Sequence, residues 1–278
     1  MTVVDAHHHL WDLSVRDQDW IAGDSPLRRD FTMEDLRPEA RAADVDRTIL
    51  VQTVTVPEET PEFLALAAEH ELIAGVVGWT DLTRTDIADE LARLRALPGG
   101  EYLRGIRHQV QGEPDPEWLL RADVRRGLAA VADAGLVYDL VVLPHQLSAC
   151  VGAAESLPQL TFVLDHLGKP PIASGATEPW ASELRSLAAL PNAVGKLSGL
   201  VTEADHTSWK SDDLRPYADT VLDAFGPGRL MFGSDWPVCT LAASYGQVIS
   251  LAEELTASLD ASEREQVFTG TATRVYGL

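Results

Sequence analysis

Only two cysteines, Cys150 and Cys239, occur in the 278 residues. They are far apart and match no CxxC spacing, which excludes a clustered thiol metal or redox centre and suits a reducing compartment. Long apolar runs are missing as well: no stretch approaches the roughly 18 residues of a membrane span. The N-terminus carries VVDAHHH where a secretory signal would need a basic region followed by an apolar one. The expectation is a cytoplasmic protein. Basic residues are scarce, 22 against 43 acidic ones, for a formal net charge of −21. Such a surface repels phosphate backbones and anionic headgroups, so nucleic acid and membranes are poor partners, whereas a small molecule or a second copy of the chain stays open. The acidity does not signal disorder, because 45% of residues are hydrophobic and the charges are spread along the chain.

What is present is an alternation. Eight short β-branched or aliphatic runs recur: TVVDAHH (2–8), TILVQTV (48–54), IAGVVGW (73–79), LRGIRHQ (103–109), LVYDLVVL (136–143), TFVLDH (161–166), AVGKLSG (193–199) and LMFGSDW (230–236). Between them lie segments with apolar residues every three and four positions, the mark of amphipathic helices. PEFLALAAEHE (61–71) opens with a proline suited to a first helical turn, Asp86 heads IADELARLRAL, and the stretch 115–135 closes on Gly135 as a C′ glycine. Repeated βα units predict an α/β fold with a parallel sheet, and eight of them in 278 residues predict a closed (β/α)8 TIM barrel forming a single domain, 1–278. An open doubly wound sheet is the alternative, but it usually carries a glycine-rich loop after its first strand, and VDAHHHLW has no glycine. The long loops at 10–31 and 200–211 are expected to cover the barrel mouth.

Strands of a parallel barrel should be nearly continuous apolar residues, yet each run turns polar at or just past its C-terminal end. The first ends in His7, His8 and His9, the second in Gln52 and Thr53, and the third is followed by Asp81. The fourth gives Arg107, His108 and Gln109, the fifth His145 and Gln146, the sixth Asp165, His166 and Lys169. The seventh gives Lys196 and Ser198, the eighth Ser234 and Asp235. In a barrel these ends converge on the face that carries active sites.

Alternate strand residues share a face, so His7 and His9 are expected to point one way, with Asp5, and His8 the other. A His-x-His pair can hold one divalent cation, and imidazole suits zinc, iron or manganese. Hydrogen-bonded surface or core imidazoles are the alternative for the pair alone. Together with His145, His166 and Asp235, it could complete a ligand sphere and leave a base. Asp235, in FGSDWP, could instead cap turn amides. Arg107 and Lys196 could be either site residues or partners of buried acids. His70 and His206 are expected to be solvated, and Trp11 and Trp236 to wall the site.

DAHHHLW, VGWTDL (77–82), GIRHQVQGEPDPEWLL (105–120), FVLDHLGKPPI (162–172), KLSGLVTEAD (196–205) and RLMFGSDWPVC (229–239) together resemble the amidohydrolase-related TIM-barrel hydrolases. Within these they are similar to the sugar lactonase branch, whose members open aldonolactones of the L-fuconolactone kind. The resemblance runs essentially end to end. It implies a (β/α)8 barrel and hydrolysis of a carbohydrate-derived lactone to its aldonic acid. It also implies a divalent metal, zinc being the expected ion, although the requirement for it differs among relatives. Metal ligands would be His7, His9, His145 and Asp235; catalysis would rest on Asp235 and His166. Arg107, His108, Trp11, Trp236, Lys169 and Lys196 would contact substrate. A decarboxylase using the same ligands and a barrel that binds without turnover are the rival readings.

Overall fold

A computed structural model describes residues 3–278. Thr2, at the start of the first predicted strand, lies outside the described residues. Eight parallel strands follow one another in sequence order: β1 (Val3–His8), β2 (Val45–Val51), β3 (Ile73–Gly78), β4 (Leu103–His108), β5 (Val137–Leu140), β6 (Phe162–Leu164), β7 (Ala193–Leu197) and β8 (Leu230–Phe232). β8 meets β1 through a parallel bridge between His8 and Trp236. There the His9 amide donates to Trp236 O at 2.7 Å and the Asp235 amide to His7 O at 2.8 Å. With helices between the strands, the architecture is a (β/α)8 barrel.

Strand residues two apart fill the interior in layers. The lower layer is apolar: Val4, Ala6, Ile49, Val51, Val77, Val137, Val163, Val194 and Met231 pack together, with Ala272 and Tyr276 of the C-terminal helix Thr271–Tyr276 against them. β4 contributes Gly105 here, and a Cβ at that position would meet Val137 Cγ2 at 2.8 Å. Two residues further along β4 to β7, the layer becomes charged: Arg107, Asp139, Asp165 and Lys196, all buried.

The face assignment on β1 needs a correction. Counting by twos from Val4 and Ala6 would turn His8 inward, but the pairing with β2 shifts register between Asp5 and His8. The shift lets Ala6 and His7 both serve the interior and returns His8 to the outer side. Asp5 therefore does not share the face of His7 and His9. Its carboxylate accepts from the Ser234 amide at 2.8 Å, Ser234 Oγ at 2.6 Å and Tyr245 OH at 2.9 Å, which ties β1 to the segment after β8.

β2 starts three residues before the predicted run: Asp46 and Arg47 are exposed, yet the strand already pairs with β1 through Val45 and Arg47. The predicted long helix after β4 is divided into a 3-10 turn, Trp118–Leu120, and the helix Ala122–Asp133, with Arg121 extended between them (ψ 141°). Gly135 follows in the left-handed conformation (φ 66°), as its C′ role requires. Among the described residues no helix is long and apolar enough to cross a membrane.

Candidate active site

At the C-terminal mouth of the barrel a cavity of about 260 Å³ is lined by His9, Arg107, His166, Lys169 and Asp235 among others. Asp235 sits in the left-handed region (φ 57°), a conformation that costs most residues strain but that aspartate tolerates. Its Oδ1 lies 3.7 Å from His7 Nε2, 3.6 Å from His9 Nε2 and 3.8 Å from His166 Nε2. His7 and His9 bring their Nε2 atoms within 3.1 Å of each other. One carboxylate oxygen is thus ringed by three imidazoles from β1 and β6.

His166 reaches this position through an unusual turn. His166, Leu167, Gly168 and Lys169 all have positive φ, between 51° and 70°. Non-glycine residues held there concentrate at functional sites. The turn is pinned by Trp180 Nε1, which donates to Leu167 O at 2.7 Å, and by Ser198 Oγ, 2.9 Å from His166 Nδ1. Gly199 packs directly on the ring: a Cβ there would lie 2.6 Å from His166 Nδ1.

The charges divide cleanly. Burial alone would raise the Asp235 pKa, but His166, His9 and His7 outweigh it and hold the carboxyl well below its usual range. Burial depresses His166 to about 4 and His7 well below its ordinary value. At neutral pH Asp235 is therefore an anion, and His7 and His166 are uncharged.

Beneath the imidazoles the charged layer forms a closed network. Lys196 Nζ lies 2.5 Å from Asp139 Oδ2, 3.0 Å from Asp165 Oδ1 and 3.1 Å from His7 Nδ1. Arg107 donates to Asp165 Oδ2 at 2.8 Å and to Gln52 Oε1 at 2.9 and 3.1 Å. Tyr276 OH donates to Asp139 Oδ2 at 2.9 Å from below. Burial raises Asp139 to about 6 against the pull of Lys196; burial would raise Asp165 too, but Lys196, His7 and Arg107 hold it far below.

The donor set suits a divalent cation. His7, His166 and Asp235 offer ligand atoms within 4.8 Å of one another. His9 Nδ1 lies 2.8 Å from Val51 O, so it carries the proton and leaves Nε2 bare toward the cluster. Asp165 Oδ1 is buried, 3.0 Å from the Lys196 ammonium and 3.3 Å from His7 Nδ1. A His7 protonated at Nδ1 would donate to it and free Nε2, the carboxylate support that metal-binding histidines ordinarily have.

Several expected site residues lie elsewhere. His145 is exposed on the turn Pro144–Gln146 and is not brought to the ligand cluster. Lys196 is fully enclosed in the charged layer and has no face on the cavity. His108 accepts from Trp79 Nε1 at 2.9 Å, pairs with Glu113 at 2.7 Å and stacks on Trp118, so it knits the loop after β4 instead of lining the cavity. Trp236 is buried with its edge against Phe31. Trp11 lines a separate cavity of about 720 Å³ beside the helix Glu59–Glu69. Arg107 does reach the cavity, but its guanidinium is already engaged by Gln52 and Asp165.

Residues that sequence reasoning did not assign to the site also line the cavity: Trp20 from the loop at 10–31, Thr202 and Glu203 from the segment at 200–211, and His206, exposed as expected. Their place in two long loops after strand ends was the available signal.

The amidohydrolase family model matches residues 4–278. L-fucono-1,5-lactonases from Burkholderia multivorans and Burkholderia ambifaria are 43% and 38% identical, spanning 99% and 98% of this chain and 96% and 94% of their own lengths. A crystal structure of an amidohydrolase from Burkholderia multivorans with bound zinc is 42% identical, covers 100% of both chains and superposes with a TM-score of 0.93. The chain belongs to the amidohydrolase family.

Proposed function

We propose that this protein is a hydrolase that opens a carbohydrate-derived lactone of the L-fucono-1,5-lactone kind to its aldonic acid. The observation that carries the reading is the anionic Asp235 carboxylate ringed by three imidazoles on a monosaccharide-sized cavity. The names of the 43% and 38% identical relatives supply the substrate class.

Asp235 accepts a proton from the attacking water as its oxygen adds to the lactone carbonyl. The same proton then passes from Asp235 to the ring oxygen as the C–O bond breaks, so one residue serves as base and then acid. A carboxylate held below its ordinary range is a weak base and, once protonated, a strong acid. The first step therefore needs an activated carbonyl. Either a bound divalent cation or, without one, a His166 protonated at Nε2 would supply that activation.

A divalent cation, zinc in our reading, would be held by His7, His9, His166 and Asp235 and would polarise the carbonyl and acidify water. His166 takes the place first expected of His145. Lys169, on the cavity wall, contacts substrate. The reading extends to a cytoplasmic location, which the two buried free thiols Cys150 and Cys239 suit.

A pH-indicator screen of neutral aldonolactones, with and without chelator, tests this. Acid release with a six-carbon aldonolactone is expected. No hydrolysis of any sugar lactone would reject the reading, and carbon dioxide release from an aromatic acid would favour the decarboxylase.

A further inference from the structure

One wall of the cavity carries an apolar side chain in water. Trp20 is 41% exposed, and besides Val15 no other large hydrophobic is exposed among the described residues. It is nevertheless held in place. Its Nε1 donates to Gln18 Oε1 at 2.9 Å, and its ring meets the edge of Trp11 at 5.6 Å and 87°. Trp11 is fixed in turn by Phe31 at 5.1 Å and by its own Nε1 donating to Arg29 O at 2.7 Å. A buttressed, exposed indole at a cavity mouth is a platform ready for an apolar face.

Another wall carries the opposite chemistry. Lys169 and Glu203 face each other at 3.7 Å, beyond hydrogen-bonding reach, with side chains 22% and 26% exposed. An ammonium has three donors and a carboxylate several acceptor sites, and this pair uses none of them on each other. Both residues are anchored to His166: Lys169 ends its left-handed turn, and Glu203 lies on the short helix that begins after Gly199, the residue packed on its ring. Their charges cancel, and the Arg107 charge is met by Asp165. Among the described residues no lysine or arginine lining the cavity is left without an acidic partner to receive a carboxylate substituent.

We infer that Trp20 and the Lys169–Glu203 pair form the subsite that recognises the substrate's polyhydroxylated ring. The indole stacks on its C–H face, and neighbouring hydroxyls bridge the ammonium and the carboxylate. The subsite selects neutral sugar lactones over plain or acidic ones. This inference rests on the lactonase reading above and adds the residues that set its specificity.

The test compares kcat/KM for a neutral hexono-1,5-lactone and for unsubstituted δ-valerolactone in wild type, Trp20→Ala, Glu203→Gln and Lys169→Met. The sugar-to-valerolactone ratio is expected to fall about 10- to 100-fold in each variant, mainly through KM, the size of losing a charged hydrogen bond or a stacking face. A general disturbance of the barrel would lower both substrates together and leave the ratio unchanged, which overturns the subsite. If wild type opens the sugar lactone and the variants keep its ratio, the subsite alone fails. If wild type opens neither lactone, the lactonase reading fails and the subsite with it.

Discussion

Lys196 places its ammonium 3.1 Å from His7 Nδ1, while Nε2 of the same ring faces Asp235 at 3.7 Å. A buried cation thus stands directly beneath the imidazole cluster, and the same ammonium joins Asp139 to Asp165. Removing it would leave the buried Asp139 carboxylate without a cation, while Asp165 keeps Arg107. Lys196→Met is expected to cost about 3–5 kcal/mol of stability in urea unfolding. Adding Asp139→Leu should recover part of that loss, and full stability of the single variant would contradict the network.

The two faces of the histidine triplet should respond differently. Neither ring nitrogen of buried His8 has a hydrogen-bond partner among the described residues. His8→Phe is expected to keep turnover within about threefold, whereas His7→Phe and His9→Phe should each lose about 100-fold or more, the scale of removing a preorganised polar group from a site. Steady-state assay of the three variants checks this. Equal losses would undo the face assignment.

Gly199 controls His166 by contact. An alanine there would carry φ 67° and press a methyl to 2.6 Å from His166 Nδ1. Gly199→Ala should lower kcat on the order of 100-fold through displacement of the ring, with the fold retained by circular dichroism. Unchanged kcat would mean that the ring position is not critical.

Glu59 offers a pH signature away from the chemistry. It accepts hydrogen bonds from the Thr53 amide at 2.8 Å and from Thr53 Oγ1, and burial pushes its pKa up to about 7 from the ordinary 4.5. The folded state therefore binds this proton more tightly than the unfolded chain does. The contribution favours folding below about pH 4.5 and is lost as pH rises toward 7, by on the order of 3 kcal/mol. Urea unfolding at pH 5 and pH 8 should show Glu59→Gln gaining on wild type at the higher pH. A gap that does not move with pH would contradict it.

Much of this was legible in the sequence because barrel chemistry has a simple grammar. Polar residues at the ends of eight apolar runs located the mouth, and Asp235, His166, His7 and His9 do meet there. Depth was not legible. Arg107 and Lys196 could be read either as cavity residues or as partners of buried acids, and both pair with acids, 58 and 57 positions away; only Arg107 also reaches the cavity. His145 had the right run and the wrong exposure, since its turn begins beyond the inner surface. The register shift on β1 escaped alternation counting, and Asp5 was assigned to the wrong face for that reason. Trp20 sits in a loop and Glu203 on the four-residue helix Leu200–Glu203; the paths of both segments depend on tertiary packing, and no periodicity announces them.

The central claim is that Asp235 moves the proton in lactone opening. The most direct measurement is kcat of Asp235→Asn on the best aldonolactone, alongside circular dichroism. Asparagine keeps the shape and cannot take up the proton, so kcat should fall about 10²- to 10⁴-fold with the fold unchanged. A folded Asp235→Asn protein that still opens the lactone at near wild-type rate would contradict the account.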